Sequence, residues 1–117
     1  MSDFEVITRL FIAIEAGERS EHNCVCDFVE AISAPWEDKN ALAWKLQKAG
    51  LIEGLEREDY EERYFWCSRV SITLPGLEYV ASTEYIQEEI EKMWTGDAKF
   101  PKNLASELGR AVSCLTK

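Results

Sequence analysis

The chain has 117 residues, of which 46% are hydrophobic, 11% aromatic and 30% charged, the proportions of one folded domain and not of a disordered or fibrous chain. Thirteen Lys and Arg stand against 22 Asp and Glu, a formal charge of -9, which opposes the sequence-independent attraction to phosphate on which general nucleic-acid binders depend. No run approaches the roughly 18 consecutive apolar residues of a membrane span, and the start MSDFEVITRL carries acids where a secretory leader would carry bases, so a soluble cytoplasmic protein with no membrane partner is expected.

Ser2 precedes Phe4, Ile7, Phe11 and Ile14, which recur at helical spacing, and Glu5 follows the serine at capping-box distance. A first helix is predicted over residues 3–16, stopped by Gly17. The polar GERSEHN stretch reads as a loop leading to Val25, Phe28, Val29 and Ile32, the stripe of a second helix. Ser33, Ala34 and Pro35 break that pattern, and proline suits the first turn of a new helix. The third helix is therefore predicted over residues 36–49, with Leu42, Leu46 and Ala49 inward and Gly50 at its end.

Beyond Gly50 the period changes to that of extended chain, in residues 51–56 and 64–74, where Val70, Ile72 and Leu74 alternate with Arg69, Ser71 and Thr73. A two-stranded hairpin follows, joined by the polar loop REDYEER. Thr73 or Leu74 then opens a helix with Pro75 in its first turn. Further helical stripes are Ile86, Ile90, Met93 and Trp94, and, past the breaker TGDAKFP, Leu104, Leu108, Val112 and Leu115, with Gly109 weakening the last. The predicted class is α+β and mostly helical, with a domain over 1–95 and an amphipathic tail over 96–117. The tail has four bases (Lys99, Lys102, Arg110, Lys117) and two acids (Asp97, Glu107), a net charge of +2 beside the strongly acidic remainder. There is no internal repeat.

Three helices, a strand starting at the glycine that ends the third, a loop, a returning strand and another helix make up the order of a winged helix. The exit LQKAGLIEG and the junction VSITLPGLEYV are similar to winged-helix sequences, the latter to an I-T-x-x-G-x-x-Y-L junction. Over residues 4–95 the chain resembles the YjcQ-like winged-helix proteins of phages and mobile elements. The resemblance implies three helices, a two-stranded wing and further C-terminal helices, and it brings DNA binding through the third helix into consideration; it does not fix function.

His22, Cys24 and Cys26 form H-x-C-x-C, which Cys67 and Cys114 could complete as a zinc set. Structural zinc sites favour C-x2-C pairs, and ligands two apart on a helix point apart, so reduced cysteines without a metal are expected. His22 is the sole histidine and no nucleophile motif, P-loop or G-x-G-x-x-G occurs. Neither an enzyme nor a cofactor is expected.

Two binding surfaces are expected instead. On the hairpin, Glu56, Glu58, Asp59, Glu61 and Glu62 outnumber Arg57 and Arg63, giving an acidic wing where a DNA-binding wing would meet phosphates. Trp44 lies about 200° around the third helix from Leu42, hence outward, and with Trp36 and Trp66 it offers aromatic anchors of the kind that dominate protein interfaces. The leading expectation is a non-enzymatic module that engages a basic, nucleic-acid-handling protein complex, such as a host defence complex, by charge complementarity. The alternative is a transcription regulator reading DNA through Lys39, Asn40, Lys45 and Lys48. A homodimer through residues 83–117 is also considered, because the stripe after Thr83 presents apolar area that a small core would leave uncovered.

Overall fold

A computed structural model describes residues 2–20, 24–56 and 70–88. In chain order they form α1 (Asp3–Arg19), α2 (Val25–Glu30), α3 (Trp36–Lys48), β1 (Ile52–Glu53), β2 (Ser71–Ile72) and α4 (Leu74–Ser82). The described residues are mostly helical with one small antiparallel sheet. Residues 84–88 are helical again beyond an extended Thr83. The expected tail over 96–117 lies outside the described residues.

Ser2 caps α1, its hydroxyl accepting from the Glu5 backbone N–H at 3.2 Å, and Asp3 and Glu5 complement the positive end of the helix dipole. The interior stretch is apolar on every side: Leu10, Phe11, Ile12, Ala13, Ile14 and Ala16 are all 0% exposed. A helix stretch apolar all round is a core element, so residues 10–16 of α1 are the hub that the other elements enclose.

The expected stop at Gly17 does not occur; α1 continues to Arg19. Gly17 is there for space. A Cβ built on it would fall 2.6 Å from the Val25 Cα and 2.7 Å from the Val25 backbone nitrogen, so the start of α2 crosses directly over the missing side chain. Val25, Phe28, Val29 and Ile32 then join the core as their spacing indicated, although the helix itself ends at Glu30.

Pro35 stands at the N-cap of α3 rather than within its first turn. Gly50, at φ 79°, closes the helix in a left-handed conformation that favours glycine. Its N–H donates to the Gln47 carbonyl and that of Leu51 to Leu46, both at 3.0 Å, the paired bonds of a Schellman cap. The chain leaves directly into β1, where Ile52 pairs with Ile72 and Glu53 with Ser71. Among the described residues the sheet comprises these two pairs; residues 57–69, which hold the expected loop and the first part of the expected second strand, lie outside them.

Thr73 fastens the next junction. Its N–H donates to the Leu51 carbonyl at 3.1 Å, its hydroxyl donates to the Gly50 carbonyl, and the same hydroxyl accepts from the Gly76 N–H at 3.1 Å, capping α4 with Pro75 in the first turn. One residue thus ties the end of α3 to the start of α4. Tyr79 then meets Phe11, with ring centroids 6.1 Å apart, and Tyr85 meets Phe4 at 5.3 Å, so the segment after β2 lies along the Phe4 to Phe11 side of α1.

Candidate functional site

Helix α3 is where the expected aromatic and DNA-reading surfaces coincide, and the structure divides its residues differently. Lys39 is 2% exposed and Asn40 7%; neither is on an outward face. The Lys39 Nζ donates to the carbonyl oxygens of Val29 at 2.9 Å and Ile32 at 3.3 Å, and it lies 4.0 Å from the centroid of the Trp36 ring. The ammonium therefore serves the carbonyl end of α2, where a cation also complements the helix dipole, and it gains a cation–π contact. Burial lowers its pKa below 10.5, while the neighbouring Glu30 and Cys26 act in the opposite direction.

The remaining polar residues of α3 follow the same division. The Gln47 side-chain amide is engaged by the backbone of Leu55, whereas Lys45 and Lys48 are exposed in the last turn, with Glu37 and Asp38 exposed in the first. The expectation of a four-residue DNA-reading face is thus corrected at Lys39 and Asn40. Lys39 stands three residues before Leu42 and seven before Leu46, on their inward stripe, and the α2 carbonyls and the Trp36 ring give its ammonium partners there. Trp36 and Trp44 are half-buried against the core, so the expected outward tryptophans present only part of their rings.

Glu56 is exposed at the start of the hairpin loop. Glu58, Asp59, Glu61, Glu62 and Trp66 lie outside the described residues. A second acidic group, which the sequence reading did not single out, gathers at the end of α1. Glu15 is buried and accepts from the Arg19 Nε at 2.6 Å. Crowding by the surrounding protein raises the pKa of Glu18; the charges of Glu15 and Glu53 add to this and Arg19 opposes it. Glu53 also accepts from the Ser71 hydroxyl at 3.3 Å.

Cys24 is exposed and Cys26 buried, neither in a disulfide; the backbone N–H of Cys24 donates to Asp27 at 3.1 Å. His22, Cys67 and Cys114 lie outside the described residues. Among the described residues, no three His, Cys, Asp or Glu side chains are grouped to hold a metal, and no helix is long and apolar enough to cross a membrane.

Sequence reasoning also missed a surface. The large apolar side chains exposed among the described residues are Phe4, Leu74, Leu77 and Tyr85, all on the first turn of α1 or in the stretch from α4 onward. Ile86 beside them is fully buried, so the first residue of the stripe expected to mediate dimer formation is enclosed within the monomer. Ile90, Met93 and Trp94 lie outside the described residues. A signal was available, because Phe4 is flanked by Asp3 and Glu5 while residues 70–88 contain no Lys or Arg. No family model, curated protein or solved structure matches this chain.

Proposed function

We propose that the chain is a non-enzymatic interaction module, winged-helix in arrangement and of the phage or mobile-element type, that binds and blocks a basic nucleic-acid-handling protein complex. The observation that supports this reading best is the charge left on the outside of α3. Lys39 and Gln47 are committed to internal partners and Asn40 is buried, and the exposed Lys45 and Lys48 are balanced by the exposed Glu37 and Asp38. A helix with no surplus cation gains little from counterion release on DNA. The acidic wing from Glu56 through Glu62 carries the attraction toward a basic protein, and the partly open rings of Trp36 and Trp44 supply contact area.

The DNA-regulator reading keeps one supporting observation, the exposure of Lys45 and Lys48 on one helical turn. A nuclease-treated pull-down from the source cell separates the two, followed by binding measurements on variants. Replacing Glu56, Glu58, Glu61 and Glu62 with Gln and Asp59 with Asn should slow association with a protein partner and flatten its salt dependence. On the DNA reading the same change strengthens DNA binding, and Lys45→Gln with Lys48→Gln weakens it. Recovery of defined DNA and no nuclease-resistant protein would overturn the proposal.

A further inference from the structure

Exposed apolar residues scattered singly are ordinary on a protein surface. Here Phe4, Leu74, Leu77 and Tyr85, between 40% and 75% exposed, fall on two segments that tertiary packing brings side by side. Phe4 and Tyr85 meet edge to face at 5.3 Å with an interplanar angle of 61°, and one helical repeat away Phe11 meets Tyr79. The two segments that carry the Phe4–Tyr85 pair are anchored, since Val6, Leu10, Val80 and Ile86 along them belong to the core. It therefore has the makeup of an interface centre, aromatic and apolar on a packed support.

Among the described residues the charge beside it in the chain has one sign. Asp3 and Glu5 flank Phe4, Glu78 follows Leu77, and Glu84 and Glu88 accompany Tyr85. Asp3, Glu78, Glu84 and Glu88 are exposed and Glu5 partly so. Residues 2–8 and 70–88 contain no Lys or Arg, and the first cation along α1, Arg9, is buried. Ordinary surfaces intersperse both signs. A second copy laid on this face would set Asp3, Glu5, Glu84 and Glu88 against the same four carboxylates, which like-charge repulsion disfavours.

We propose that the Phe4–Tyr85 face is a docking surface for a segment of another protein in which apolar anchors are flanked by lysine or arginine. This rests on the reading of the chain as a module for basic protein partners, but it places a contact on the side built from α1 and α4 rather than on the wing. Phe4 and Tyr85 hold the anchors, and the carboxylates beside them in the chain, Asp3, Glu5, Glu84 and Glu88, receive the flanking cations and speed encounter.

The test uses the full chain and a labelled synthetic helical peptide, with Leu at i, i+3, i+4 and i+7 and Lys elsewhere, against a control with Glu in place of Lys. Fluorescence anisotropy should show binding of the Leu/Lys peptide alone. Phe4→Ser with Tyr85→Ser should weaken it about tenfold or more, a loss of about 1.4 kcal/mol or more, with helical circular dichroism unchanged. Should that variant unfold, Glu84→Gln with Glu88→Gln reads the same face through a flattened salt dependence. Equal binding by both peptides, or by the wild type and the face variants, overturns the assignment. So does a gain in peptide affinity in Leu104→Ser with Leu108→Ser, which would make the chain's own tail the occupant, or a dimer in light scattering that Phe4→Ser dissolves. If a captured basic partner loses binding with the wing substitutions but not with the face variants, this surface fails while the proposed function stands.

Discussion

The side-chain amide of Gln47 pairs with Leu55 as a neighbouring strand would: the Leu55 N–H donates to Oε1 at 2.7 Å, and Nε2 donates to the Leu55 carbonyl at 3.3 Å. Helix α3 thereby holds the chain just beyond β1 and fixes the direction in which it leaves toward the acidic loop. Gln47→Leu removes both bonds and leaves two partly buried backbone groups unpaired. A loss of about 1–3 kcal/mol is expected, measured as a lower urea midpoint with an unchanged slope.

Gly17→Ala tests the crossing of α1 and α2. Helix propensity alone would favour alanine by about 1 kcal/mol. The added methyl meets the Val25 backbone, with the Cα at 2.6 Å, and no rotamer change relieves that. A net loss of about 1–3 kcal/mol is expected; a stabilised variant in chemical denaturation would show that the crossing is looser than described. Gly76→Ala should behave likewise, because its Cβ would meet the Leu51 carbonyl and stand 2.7 Å from the Ile72 Cγ2.

Lys39 gives a pH dependence on the alkaline side. Its folded pKa is lowered from 10.5, chiefly by burial, so between the folded value and 10.5 the unfolded chain binds more protons than the native one. Stability from this group therefore rises with pH across that window. Lys39→Met should abolish the rise and lower stability at pH 7 by about 1–3 kcal/mol, since the Val29 and Ile32 carbonyls lose their cationic donor. Urea titrations at a series of pH values up to 10.5 check both.

These two helices show what the sequence discloses and what it withholds. The Ser2 cap, the α3 start beside Pro35, the Gly50 exit and the Thr73 and Pro75 opening of α4 were legible because each depends on residues within one or two turns. The extent of α1 was not, since whether Gly17 ends a helix depends on Val25 arriving over it. The inward side of Lys39 was legible in its spacing to Leu42 and Leu46, but its acceptors were not, being backbone carbonyls of α2 that have no sequence signature. Phe4 and Tyr85 were legible one by one, but only the fold pairs them.

Glu18 gives the opposite sign on the acid side. Its folded pKa is raised above 4.5, so the native state holds the proton more tightly and its contribution falls as pH rises through the window just above 4.5. At neutral pH the ionised carboxylate faces the charges of Glu15 and Glu53, with Arg19 in partial compensation. Glu18→Gln should raise the melting temperature at pH 7 and leave it nearly unchanged below pH 4.5, as read by calorimetry at both pH values.

The all-round burial of α1 has a consequence for biosynthesis. The apolar stretch of α1 leaves the ribosome before the elements that enclose it, and its aromatic cover, Tyr79 on Phe11 and Tyr85 on Phe4, follows about 70 residues later. At roughly 5–20 residues per second, α1 waits several seconds with its surface unclaimed. The nascent chain is then most dependent on chaperones and most exposed to self-recognition between neighbouring polysomes, and a tag or fusion that delays release of residues 74–88 should lower soluble yield more than one placed before Ser2.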